Sequence, residues 1–97
     1  MLKFKKGLYT KEDCLPLDNE DLENKILVLN PEVLKDEYKR PEYQICKAFG
    51  GFGCSPTARG RRVFVKCLYD SEEISWYRED FIGILKEELV KELKGGI

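Results

Sequence analysis

The sequence predicts an α+β fold: a small curled antiparallel sheet or partial barrel, with a short inserted helix and a C-terminal helix. Three observations point there. Lys25-Ile26-Leu27-Val28-Leu29 and Arg62-Val63-Phe64-Val65-Lys66-Cys67-Leu68-Tyr69 are short runs rich in β-branched and aromatic residues, bounded by turn-forming residues. Asp70-Ser71-Glu72-Glu73 turns the second run into Ile74-Ser75-Trp76-Tyr77-Arg78, the pattern of a hairpin. Leu89, Val90 and Leu93 recur at helical spacing within Lys86 to Lys94, ahead of Gly95-Gly96, a common helix stop.

In order along the chain, Leu2, Phe4 and Leu8 alternate with lysines and predict a short edge strand, with Pro16 marking the following turn. Lys25 to Leu29 is the clearest buried strand. Asn30 then suits an N-cap and Pro31 the first helical position, so Pro31 to about Tyr38 is expected as the inserted helix, ended or followed by Pro41. Tyr43 and Ile45, running to Ala48 or Phe49, suggest a second strand, and a helical turn fits the same residues. A Gly/Pro loop separates this from Arg62 to Tyr69. In the hairpin return, Ile74, Trp76 and Arg78 share one face and Ser75 and Tyr77 the other. Asp80-Phe81-Ile82-Gly83-Ile84-Leu85 is expected as a short crossing into the last helix.

A chain of 97 residues with 42% hydrophobic residues supports one domain, 1–97, with an N-terminal segment 1–24, a motif-bearing core 25–85 and a C-terminal helix and tail 86–97. It contains no apolar run of transmembrane length and no signal-peptide pattern after Met1-Leu2-Lys3-Phe4-Lys5-Lys6, so a cytoplasmic location and no membrane partner are expected. The net charge of −1 conceals segregation. Asp18, Glu20, Asp21 and Glu23 belong to an early acidic block, and acid dominates again from Asp70. Between Lys39 and Lys66 the only acid is Glu42, against Lys39, Arg40, Lys47, Arg59, Arg61, Arg62 and Lys66.

The four cysteines, Cys14, Cys46, Cys54 and Cys67, form no CxxC pair, and the chain has no histidine. Reduced thiols packed as small apolar groups are expected, with no metal and no cofactor. Without histidine a Cys–His catalytic pair is excluded. The remaining enzymatic option is Cys54, if nearby arginines depress its pKa. The paired acids Glu72-Glu73 and Glu79-Asp80 are sequence neighbours that point apart, so they favour turn or surface roles over acid/base catalysis. Asp80 suits a turn cap or a pairing with Arg78 or Arg62.

The most unusual stretch is Gly50-Gly51-Phe52-Gly53-Cys54-Ser55-Pro56-Thr57-Ala58-Arg59-Gly60-Arg61-Arg62. Neither GxGxxG nor GxxxxGK[ST] occurs in it. Gly51-Phe52-Gly53 suits either a small backbone nest for an anion or a hairpin connection that needs glycine at positive φ. Arginine with aromatic residues is the composition of protein hot spots and also of nucleic-acid contacts, where Phe49, Phe52, Tyr43 and Trp76 would stack on bases. The candidate binding residues are therefore Gly51, Phe52, Gly53, Arg59, Arg61 and Arg62, with Trp76 and Arg78 supporting or joining them. An ordinary core role fits Trp76 as well. The acidic blocks, around Glu20 or Glu72 and Glu73, offer a separate means of mimicking nucleic-acid charge.

The segments Ile26 to Leu34, Arg40 to Gln44, Gly50 to Arg61, Val63-Phe64, Cys67-Leu68 and Trp76 to Leu85 together resemble an uncharacterised family of small proteins from conjugative transposons and phages of Firmicutes. The motif is GGFGC-P-ARGR-VF followed by W-R-DFIG-L, and the resemblance spans residues 25–85. The family brings no activity to carry over. It implies a mobile-element setting, where small accessory proteins counter host defences. The resulting expectation is a non-enzymatic binding protein, a counter-defence inhibitor docking on a host nuclease such as a CRISPR or restriction effector. The alternative is a nucleic-acid-binding accessory factor for transfer or replication of the element.

Overall fold

Apolar residues on both faces of one short run set the architecture. In the computed structural model, which describes residues 2–17, 20–57 and 59–95, Ile26–Leu29 (β2) lies in the middle of a sheet. Leu27 and Leu29 point to one side and Val28 to the other, and all three are buried. The other strands are Cys14–Leu15 (β1), Ile45–Gly50 (β3), Arg62–Cys67 (β4), Glu73–Tyr77 (β5) and Phe81–Leu85 (β6). They form one six-stranded antiparallel sheet in the order β1-β6-β2-β3-β4-β5, curled but unclosed. Helix α1 is the single turn Pro41–Gln44, and α2 is Glu87–Leu93.

The concave side encloses the larger core: Leu22, Leu27, Leu29, Cys46, Ala48, Cys54, Val63, Val65, Cys67, Phe81 and Ile84. Val63, Val65 and Cys67 are alternate residues of β4, which is the period-2 pattern expected for that strand. Full burial of a side chain such as Val65 contributes about 1.5–3 kcal/mol. A second cluster lies on the convex side, where Tyr9, Leu93, Leu89 and Val90 cover Val28, Ile45 and Leu85.

Several expectations are corrected. Phe81–Leu85 is a strand of the sheet interior, seated between β1 and β2, rather than a crossing. Gly83 obscures its pattern for a structural reason. A Cβ there would sit 2.5 Å from the Cys14 Cβ and 2.6 Å from the Leu15 carbonyl oxygen, so glycine lets β1 approach. The lysine-flanked Leu2 and Phe4 form no edge strand. They pack on the convex cluster, and the Lys3 N–H donates to the Leu93 carbonyl at 2.8 Å. The inserted helix Pro31 to Tyr38 is two 3-10 turns, Pro31–Val33 and Asp36–Tyr38, although the Asn30 side chain caps the first as expected, accepting from the Glu32 N–H. Pro41 follows those turns and begins a helical turn of its own, and of the strand and helical-turn alternatives for Tyr43 that turn is the one adopted, with the strand starting at Ile45.

Gln44 ties the N-terminal segment to the sheet. It is fully buried, accepts from the Tyr9 N–H at 2.8 Å, and donates through Nε2 to the carbonyls of Tyr9 and Leu29, each at 3.1 Å. All its polar capacity in reach is used, which offsets the cost of burying an amide.

Gly83→Ala should lose more than about 2 kcal/mol of stability, because β1 must move away. Gly50→Ala, whose Cβ meets nothing within 4 Å, should change it by less than about 0.5 kcal/mol. Urea unfolding of the two variants checks the contrast.

Candidate binding surface

The glycine loop turns its backbone toward the protein. Gly51 has φ +101°, and a Cβ there would meet the Arg62 carbonyl oxygen at 2.5 Å. Gly53 is buried, and its added Cβ would meet the Arg61 carbonyl oxygen at 2.5 Å and Val63 Cγ2 at 2.7 Å. Both glycines let the 3-10 turn Phe52–Cys54 lie against the start of β4. These two glycines therefore serve the turn, and the approach made possible is intramolecular. Gly60 supplies another positive φ, +75°, and its N–H is taken by the Glu79 carboxylate at 3.1 Å.

Arg78 holds this loop from beneath. It is 6% exposed, in the 3-10 turn Arg78–Asp80 that joins β5 to β6. Nη1 donates to the carbonyls of Gly53, Cys54 and Ser55, each at 3.2 Å. Nη2 donates to those of Leu17 and Glu20. Among the described residues no carboxylate lies within 4.0 Å of it. Arg78 supports the loop from inside the protein, with its side chain buried. Trp76 is half-buried against the concave core, on the opposite face of the sheet from Arg62 and Phe64. Asp80 caps its turn, accepting from the Tyr77 N–H at 2.9 Å.

The exposed candidates are Phe52, Arg59, Arg61 and Arg62. Phe52 is 82% exposed, at the start of its turn. Arg62 lies over the Tyr77 ring, 4.5 Å from its centroid, and donates to the Ser75 carbonyl and hydroxyl oxygens at 3.3 Å. It stands at the end of a wider surface that the sequence reading did not assemble. Lys47 and Phe49 of β3, Arg62, Phe64 and Lys66 of β4, and Tyr77 of β5 are all exposed on the convex side. A β-bulge between Ala48 and Gly50 adds Phe49 as an extra residue, and its ring stacks on Phe64 with centroids 6.3 Å apart. Lys47 and Lys66 are direct cross-strand partners. The signal for this face was present in the alternation of β4: once Val63, Val65 and Cys67 point inward, Arg62, Phe64 and Lys66 must point out.

Among the described residues, ion pairs within 4.0 Å involve Lys5, Lys25, Lys39 and Arg40, and none involves Lys47, Arg59, Arg61, Arg62 or Lys66. The acidic blocks behave differently. Glu20 pairs with Lys25 at 2.8 Å, and Asp21 and Asp70 accept from the N–H groups of Glu23 and Glu72. Asp18 and Ala58 lie outside the described residues, as does Gly96 of the expected helix stop.

All four cysteines are free thiols and buried. Cys54 donates to the Gly50 carbonyl, and burial, with Asp21 and Glu23 adding to it, raises its pKa above the ordinary thiol value, outweighing Arg78. The condition set for a reactive Cys54, a pKa lowered by nearby arginines, is not met. Burial likewise raises Cys46 and Cys67 and pushes Cys14 up to about 11. The described residues contain no group of three or more His, Cys, Asp or Glu placed to hold a metal ion, and no helix among them is long and apolar enough to cross a membrane.

The chain matches no protein-family model, no curated protein and no solved structure.

Arg78→Met should cost about 3–5 kcal/mol, because the carbonyls it satisfies lose their donor in a buried site. Thermal melting should show the loss, whereas a surface contact residue would leave the melt unchanged. The raised thiols also set a pH dependence. Above an unfolded thiol pKa of about 8.5 the unfolded chain loses protons that the folded chain keeps, so stability falls as pH rises toward about 11. A disulfide-exchange reagent at pH 8 should leave the native thiols unmodified and label all four only in denaturant.

Proposed function

We propose that this chain is a non-enzymatic binding protein, and that its contact surface is the uncovered convex face of β3, β4 and β5 together with the exposed side of the 51–62 loop. One observation carries the reading: aromatic side chains that the core has no use for, Phe49, Phe52, Phe64 and Tyr77, are grouped with cations that form no ion pair among the described residues. The protonated, buried thiols support the non-enzymatic part, since none of them is a ready nucleophile.

The resemblance to proteins of conjugative transposons and phages supplies the setting, a mobile element in a bacterial cell. The occupant of the face there is either a host defence complex such as a nuclease, which docking would inhibit, or nucleic acid handled during transfer or replication. Phe52, projecting almost wholly into solvent, favours the first as a hot-spot anchor. The alternating cations and rings of the sheet face favour the second.

The test compares the wild-type protein with a triple variant, Phe52→Ala, Arg61→Glu and Lys66→Glu, each tagged and recovered from bacterial lysate with and without added nuclease. The variant should melt as the wild type does and lose the captured partner. Undiminished capture by the folded variant would rule out this face.

A further inference from the structure

We infer that the convex face of β3–β4–β5 takes a single-stranded nucleic acid, with Phe49 and Phe64 stacking on unpaired bases and Lys47, Lys66 and Arg61 meeting phosphates. The inference rests on the reading of that face as a contact surface and names its partner.

Charge is the first argument. Lys47 and Lys66 are directly opposed across β3 and β4, an arrangement that repels when nothing lies between the two ammonium groups. Neither forms an ion pair among the described residues. Arg59 and Arg61 are exposed in the loop that leads into β4, and the acid Glu79 is turned onto the Gly60 N–H between them. Glu73, opposite Lys66, is the acid that β5 adds. The surface therefore suits a polyanion, and a basic nucleic-acid cleft on a protein suits it poorly.

Ring geometry is the second. Phe49 and Phe64 are 47% and 45% exposed, and they stack at an interplanar angle of 26°, leaving outward ring surface on adjacent strands. The Arg62–Tyr77 stack extends the row onto β5. Bases of a duplex are already stacked and paired, whereas those of a single strand gain a new partner on such a platform.

The third argument is against a competing occupant, an added strand at the β5 edge. The Cys67 N–H bonds the Glu72 carbonyl, which turns the backbone groups of Glu73, Ser75 and Tyr77 outward to that edge. Arg62 already covers the Ser75 carbonyl and Asp80 the Tyr77 N–H. The edge is guarded, and the face beside it is open.

The probes are fluorescein-labelled 20-residue oligothymidine, oligouridine and a mixed-sequence DNA duplex, titrated with the full chain and read by anisotropy. Either single strand should bind more tightly than the duplex, and comparison of the two shows whether DNA or RNA is preferred. With three or four phosphates neutralised, affinity should fall about 20- to 50-fold between 50 and 200 mM salt. Phe49→Ala with Phe64→Ala should weaken binding about tenfold or more, and Lys47→Glu with Lys66→Glu should abolish it. Lys91→Glu, on the exposed side of α2, should bind as the wild type does. If the phenylalanine variant fails to fold, the lysine pair decides. Affinity weaker than about 100 µM for both single strands overturns the inference, as does a lysine pair variant that binds normally. In the first case, capture of a nuclease-resistant protein partner that the triple variant loses would leave the contact-surface reading standing.

Discussion

Arg78 is the point on which the candidate surface depends. A buried guanidinium is costly unless its N–H groups find acceptors, and here they are met by backbone carbonyls from two loops remote in sequence. The benefit is mutual, because loop carbonyls turned inward also need donors. One side chain between β5 and β6 thereby fixes the segment after β3 and the segment after β1. Lysine, with three donors on a flexible stem, lacks the planar fork that serves both groups. The loop's glycines complete the arrangement by removing the Cβ atoms that would hold it away from Arg61–Phe64.

The division of the convex face into covered and bare halves follows from size. Helix α2 has seven residues and is about 10 Å long, while six strands at their usual spacing span about 24 Å. The helix and the N-terminal segment, pinned by Gln44, cover β6, β2 and the Ile45 end of β3. β4 and β5 are left with one face on the core and one on solvent. For such a strand the outward positions ordinarily carry polar residues. Phe49, Phe64 and Tyr77 depart from that pattern, and the departure is confined to the uncovered half.

Much of this was legible in the chain. The buried run of β2, the alternation of β4, the hairpin to β5, the cap at Asn30 and the final helix all follow from local pattern, and the structure has them. Phe81–Leu85 was missed because Gly83 signals a break unless β1 is known to pass over it, and that contact joins residues some seventy positions apart. Pro41 is open to two roles in the sequence, because proline suits both the end of one helical segment and the first position of the next, and it takes the second. Among the candidate site residues, Arg61 and Phe52 stand in the open as expected from a Gly/Arg-rich loop. Arg78, which the strand period places on the face of Trp76, is buried and holds the loop from beneath, the supporting role of the two its position suggested.

Nucleic-acid-binding domains ordinarily carry a net positive charge, and the topology explains why the net charge of −1 is a poor guide here. The base-rich stretch from Lys39 to Lys66 folds back on itself through β3 and β4, which are hydrogen-bonded neighbours. The cations that the two strands carry, Lys47, Arg62 and Lys66, thus share a patch in space. The acids that balance it lie mainly in the turns around Glu20 and Asp70 and along α2, where several cap N–H groups or pair with a lysine. What a diffusing partner meets is the local field of each face, screened over about 10 Å at ordinary salt, and not the sum over the molecule.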